Sequence, residues 1–165
     1  MFIDFAWENH QLHMAMILAK KLQALNGSIT GGAGSLAGTL GEVMAHVYLP
    51  GSELKSTKDY DLIYKGFTID VKTKRTTMNF VKPNYEASIA NWNPSQKCDF
   101  YLFARVNMAL HKGWFLGFLA PDEYYEKAKF LKKGDVDPSN NFTVKADCWN
   151  VPYSEMRPTE WLKEI

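Results

Sequence analysis

Apolar positions recur along this chain with two different periods. Over residues 8–25, Leu12, Met16, Ala19 and Leu22 fall near i, i+4 and i+7, which predicts an amphipathic helix closed by Asn26-Gly27. Leu36, Leu40, Val43, Met44 and Val47 form a second stripe and predict a helix over Ser35 to Tyr48, ended by Pro50-Gly51. The pattern then shortens. Leu62-Ile63-Tyr64 and the alternating Phe67, Ile69 and Val71 read as two strands around Lys65-Gly66, where Gly supplies the φ > 0 of a tight hairpin. Residues 86–97 read as irregular, with Asn91-Trp92-Asn93-Pro94 among them. Phe100 to Val106 and Trp114 to Leu119 predict two more strands joined through His111-Lys112-Gly113. Pro121 opens a helix to about Leu131, with Asp122 and Glu123 in its first turn, where the helix dipole favours them. Gly134-Asp135 and Asp137-Pro138-Ser139-Asn140 are turns, Phe142 to Trp149 reads as a last strand, and a short helix near Pro158 includes Trp161. With no repeat, linker or low-complexity tract, the reading is one domain over residues 1–165, of mixed α/β (α+β) class.

A two-residue turn fixes the hairpin register. Tyr64 pairs with Phe67, Ile63 with Thr68 and Leu62 with Ile69, so Asp61 falls opposite Asp70. Side chains alternate along a strand, so Lys72 shares the face of Asp70. Directly opposed residues have Cβ atoms about 4.5–5.5 Å apart, and like charges there are destabilising. Two such carboxylates need a cation, or one must hold a proton. An all-oxygen ligand set suits Mg²⁺ or Mn²⁺. Asp59 has the same parity as Asp61 and would oppose Lys72. It reads as a salt-bridge partner at the mouth of the strand, and a register slip of two would exchange the two aspartates.

Bulk composition narrows the field. The 165 residues are 46% hydrophobic and 22% charged, a balance that fits a folded domain and excludes a disordered one. Net charge is +1, so a case for nucleic acid must rest on local charge. Such charge exists between residues 71 and 85, where Lys72, Lys74, Arg75 and Lys82 occur without an acid and Phe80 and Tyr85 are interleaved. That pairing suits a phosphate backbone, although an ordinary basic loop would look the same. Cys98 and Cys148 have no CxxC spacing, which excludes a zinc or disulfide framework and makes a reducing, cytoplasmic setting the expectation. No basic n-region precedes the Phe-Ile-Asp-Phe start, and the apolar runs are too short to span a bilayer.

Other features carry less. Gly32-x-Gly34-x-x-Ala37 matches a loose dinucleotide fingerprint, but a helix and a polar turn precede it where that motif needs a buried strand. A small-molecule enzyme using this stretch ranks last for that reason. His10 and His13 sit one helical turn apart with no third ligand, and Glu42-x-x-x-His46 alone is a weak metal signal. Glu42 lies nearly opposite the apolar stripe of its helix, beside the small residues Ser35, Gly38 and Ala45. Small neighbours let the helix approach another element, so Glu42 could reach a site formed elsewhere, though most helical glutamates are simply solvated.

A helix with Glu, a strand with Asp, a turn and a strand with Asp-x-Lys, followed by further strands and helices, resembles the PD-(D/E)xK nuclease superfamily. The matching residues are Asp61, then Asp70-Val71-Lys72 after eight intervening residues, with Glu42 on the preceding helix. The likeness covers about residues 34–119, including the Asp99-Phe-Tyr-Leu-Phe strand and the strand containing Gly117. Tyr60 stands where a proline is common, and Asp70 where many members have Glu. By size the chain looks most like a small phage-type nuclease, acting in the host cytoplasm if phage-encoded.

The resemblance implies a restriction-endonuclease-like core, a central mixed β-sheet flanked by helices. It implies Mg²⁺- or Mn²⁺-dependent hydrolysis of phosphodiester bonds in DNA, with RNA not excluded. Asp61, Asp70, the Val71 carbonyl and Glu42 would serve the metal. Lys72 would assist the attacking water. Lys74, Arg75 and Lys82 would hold phosphates, Lys74 ahead of Arg75 because it shares the face of Lys72. One site cuts one strand, so double-strand cleavage would need a homodimer or two events. The alternative is a catalytically inactive nucleic-acid-binding protein of the same fold. It has no reason to keep two repelling carboxylates.

Overall fold

A computed structural model describes residues 3–24, 35–55, 57–82, 84–91, 96–138 and 141–165. The predicted Asn26-Gly27 stop, the glycines at 27, 31, 32 and 34, and the segment from Trp92 to Pro94 lie outside the described residues, as do Ser139 and Asn140. In chain order the elements are β1 (Ile3–Ala6), α1 (Asn9–Ala24), α2 (Ser35–Tyr48), β2 (Glu53–Leu54), β3 (Leu62–Tyr64), β4 (Phe67–Arg75) and β5 (Glu86–Ala90). There follow β6 (Phe100–Asn107), β7 (Lys112–Leu119), α3 (Pro121–Lys127), β8 (Lys129–Leu131), β9 (Val136–Asp137), β10 (Phe142–Thr143) and β11 (Cys148–Pro152). Short 3₁₀ turns at Tyr153–Glu155 and Thr159–Lys163 complete the chain.

The main sheet has six strands in the order β1-β7-β6-β4-β3-β2. It is mixed: β4 and β6 run parallel, and the other neighbours are antiparallel. Parallel neighbours need a long crossover. Here it includes β5, which leaves the main sheet to join β11 and β8 in a second, three-stranded sheet.

Alternation on β4 and β6 sorts side chains into two cores. Ile69, Val71, Leu102, Ala104 and Val106 join Leu40, Val43 and Met44 of α2. Tyr101 and Phe103 join Trp114, Leu116 and Tyr124, with Ala87, Ile89 and Val151 from the small sheet. Helices α1 and α2 therefore cover one face of the main sheet. The small sheet and α3 cover the other. Among the described residues no helix is long and apolar enough to cross a membrane.

Several boundaries differ from the sequence reading, each for a local reason. Residues 86–90 form a strand because β11 pairs with them along their length. The helix opened by Pro121 stops at Lys127, where Ala128 turns extended (ψ 141°) and residues 129–131 pair with β11 instead. Phe142 to Trp149 divides between β10 and β11. On α1 the buried face runs through Gln11 and Ala15 with Leu12 and Leu18 beside it, while Met16 is 44% exposed. Val47 of the α2 stripe is exposed as well.

Candidate active site

The hairpin turn behaves as counted. Leu62 pairs with Ile69, Ile63 with Thr68 and Tyr64 with Phe67. Gly66 has φ 88°, and Lys65 also adopts a left-handed φ of 50°. Positive φ at both central residues gives the turn twist that suits a hairpin. A non-glycine residue in that region is strained, and here the Lys65 ammonium donates to the carbonyl oxygens of Lys163 (2.9 Å) and Ile165 (3.0 Å), which holds it in place.

The ladder ends one residue before the predicted carboxylate pair. The Asp61 N–H donates to the Ile69 carbonyl (2.9 Å), although Leu62 is already the partner of Ile69. Two residues of one strand thus face one of the other, a local bulge. Asp61 is displaced from a square position opposite Asp70. Its Oδ2 instead accepts the Val71 N–H at 2.7 Å, in place of a strand carbonyl. Among the described residues no strand pairs with this edge of β4 beyond Ile69. The N–H and C=O of one strand residue point to the same side, so the Val71 carbonyl faces the same gap.

Three carboxylates meet at this open edge. Asp70 is 5% exposed and Glu42 is 8% exposed. Burial, and then the Asp70 charge, push the Glu42 carboxyl up to about 7. Asp61 is raised well above the ordinary carboxylate range by burial, by Glu42 and by Asp70, against the single lowering bond from Val71. Glu42 Oε2 is buried without a hydrogen-bond partner. Helix α2 can deliver Glu42 because it lies almost on β4 at Gly41, where a Cβ would collide with Thr73 Oγ1. The small residue that permits this approach is therefore Gly41. Added bulk at Gly38, one of the predicted small neighbours, would meet nothing within 4 Å.

Lys72 supplies the positive charge. Its Nζ lies 2.5 Å from Asp70 Oδ2, a close ion pair whose angles do not make it a hydrogen bond. It donates to Gln96 Oε1 at 2.8 Å and sits 5.3 Å from the centre of the Tyr101 ring. Three carboxylates therefore face one ammonium. The donor set is all oxygen, largely buried and crowded, which fits a hard divalent cation. Glu42, Asp61 and Asp70 with the Val71 carbonyl are the groups that would hold it. Among the described residues, no group of three or more His, Cys, Asp or Glu side chains is arranged so that it could by itself hold a metal ion. Mg²⁺ is ordinarily held by one or two carboxylates with waters and substrate phosphates in the remaining positions.

The other expected residues lie around this centre rather than in it. Lys74 follows Lys72 on the same face, beside Arg105 in register, and is exposed. Arg75 is exposed on the opposite face of β4, and Lys82 is exposed in the β4–β5 connection near the exposed Phe80. Asp59 is not paired with Lys72; its Oδ1 accepts a long 3.5 Å bond from the Lys97 N–H. His46 Nδ1 is 3.0 Å from Ser52 Oγ, and His10 lies by Glu8 on the surface, so neither points to the carboxylates. Gln96 was missed by sequence reasoning. It stands 24 residues beyond Lys72 in a stretch read as irregular, and no spacing rule marks it.

Compared with known proteins, the chain matches no family model and no curated protein.

Proposed function

We propose that this protein is a metal-dependent nuclease with a restriction-endonuclease-like core, hydrolysing phosphodiester bonds in DNA. One observation carries the reading: the buried Glu42 and Asp70 and the half-buried Asp61 crowd together at an open strand edge, with Lys72 the one ammonium paired to them among the described residues. Such an arrangement costs stability unless a cation from outside the chain joins it. It matches the residues by which the sequence resembles the PD-(D/E)xK superfamily.

Bound Mg²⁺ or Mn²⁺ would supply Lewis acidity toward a phosphoryl oxygen and toward water. The chain's own groups do the rest. Asp61 and Asp70 fix the position of charge, and the Val71 N–H locks the Asp61 carboxylate in orientation. Glu42 would help hold the metal, and because burial and the Asp70 charge raise its pKa in the metal-free chain, metal binding there would displace a proton. Lys72 would orient the attacking water and offset charge developing on the phosphate. Lys74, with Arg75 and Lys82 further out, would hold the backbone on either side.

The test is direct. Purified protein is incubated with plasmid, linear and branched DNA, with and without Mg²⁺ or Mn²⁺. Metal-dependent cleavage of at least one substrate is expected. A folded protein that binds these DNAs yet cuts none would instead be the inactive binding protein of the same fold. Size-exclusion with light scattering tests the homodimer that paired cuts would require.

A further inference from the structure

We propose that Gln96 is a positioning residue for Lys72, fixing the orientation of the ammonium within its close ion pair with Asp70. The inference rests on the nuclease reading above. A lysine ammonium is a compact charge with three donors on a flexible stem, so one ion pair alone leaves its orientation free. Lys72 does not stand alone. Its Nζ donates to Gln96 Oε1 at 2.8 Å and lies over Tyr101, while Asp70 Oδ2 takes its remaining side.

The orientation of the Gln96 amide is fixed by its two partners. Its oxygen accepts from Lys72, and its Nε2 points at the Lys58 carbonyl, 3.5 Å away. The reverse orientation would set an NH₂ group against an ammonium and a carbonyl against a carbonyl. The segment bearing Gln96 is itself pinned to β4. Asp99 Oδ2 accepts from both the Thr68 N–H and the Thr68 Oγ1, each at 2.7 Å, and the Asp99 N–H donates to the Thr68 carbonyl at 3.0 Å. Gln96 thus joins Lys72 to the loop that delivers Asp61. Being neutral, it holds the ammonium without offsetting its charge.

Two measurements on the full chain test this. The first is acylation of Lys72 by an amine-reactive reagent, mapped by mass spectrometry in the absence of DNA. Labelling should rise several-fold in Gln96→Ala and stay at the wild-type level in Gln96→Glu, with equal melting temperatures. The second is single-turnover DNA cleavage in Mg²⁺. Gln96→Ala should lower the maximal rate about 10-fold or more, as loss of an orienting partner does, and leave the half-saturating DNA concentration unchanged. In a Lys72→Ala background the same change should cost nothing further. Unchanged labelling in Gln96→Ala overturns the proposal whatever the protein cuts, and so does an additive loss in the double variant. Raised labelling in a protein whose wild type cuts no DNA upholds the clamp and overturns the nuclease reading.

Discussion

Asp61 and Asp99 both set a carboxylate against β4, and they do opposite things to the molecule. Asp99 lies on the exposed side of the strand's start, where the N–H and hydroxyl of Thr68 both donate to one of its oxygens. Its charge is satisfied by donors and ties β6 to β4. Asp61 takes one N–H from Val71 and then meets Asp70 and the buried Glu42. Its neighbours oppose its charge. The first carboxylate belongs to the fold. The second is tolerated by the fold, and that tolerance makes sense when something outside the chain completes it.

The sharpest way to break this contrast is to remove members of the crowded group. Asp70→Asn and Lys72→Ala should each lower the cleavage rate by at least ~10²–10³-fold, the scale for losing one preorganised charge-stabilising group. DNA binding should stay within a few-fold. Asp99→Asn keeps an oxygen for Thr68 and should leave the rate near wild type. Single-turnover cleavage of end-labelled DNA reads all three, and full activity in either of the first two would refute the site assignment.

Acidity gives the next largest effect. Glu42 has a folded-state pKa of about 7 against an ordinary 4.5. The folded chain therefore binds this proton more tightly than the unfolded chain does. Stability without metal is fully present below the ordinary value, falls as pH rises from about 4.5 through about 7, and stays lower above. At roughly 1.4 kcal/mol per pKa unit the loss from this coupled carboxyl group is on the order of a few kcal/mol. On the proposed metal site Mg²⁺ would compete with the protons, so it should add little stability at pH 5 and clearly raise Tm at pH 8. Thermal melts across this range, with and without Mg²⁺, check the sign. Glu42→Gln should flatten the metal-free slope.

How much of this was legible beforehand follows the same division between local and distant causes. The hairpin register could be counted from Lys65-Gly66 because a two-residue turn admits one pairing, and all three predicted pairs are present. The small displacement of Asp61 could not be counted, since it depends on the Asp61 N–H doubling up on the Ile69 carbonyl. Residues 86–90, Glu-Ala-Ser-Ile-Ala, carry little strand propensity and are extended because β11 lies beside them, some sixty residues on. The N-terminal Ile3–Ala6 likewise becomes a strand by adding to β7. The apolar stripe puts Glu42 on α2, but the glycine that lets that helix approach β4 is its immediate neighbour, Gly41. The contact partner, Thr73, sits on another strand. Gln96 reaches Lys72 only through the folded path of the chain.

Gly41→Ala tests the geometry instead of the charges. The added methyl must push α2 away from Thr73, and overpacking of a well-filled core costs about 1–3 kcal/mol. It also withdraws Glu42 from Asp61 and Asp70 while leaving the Asp99–Thr68 bonds untouched. Urea unfolding should show the loss, and the Mg²⁺-induced rise in Tm should shrink. A variant with lower stability but an undiminished Mg²⁺ response would separate the helix contact from the site.

The finest test sets the two aspartates against each other in sign. Asp61→Asn keeps an oxygen for the Val71 N–H and removes one of three crowded charges, so the metal-free protein at pH 8 should gain about 1 kcal/mol. Asp99→Ala removes the acceptor of two Thr68 donors, and a hydrogen bond of this kind is worth about 1 kcal/mol net, so that variant should lose about 1–2 kcal/mol. Both effects are within reach of paired urea titrations at one pH and ionic strength. With Mg²⁺ present the order should change for one member only: Asp61→Asn should lose most of the metal's stabilisation, and Asp99→Ala should keep all of it. Equal losses in both variants would mean that Asp61 is a structural carboxylate like Asp99, and the crowding around Glu42 would then need another explanation.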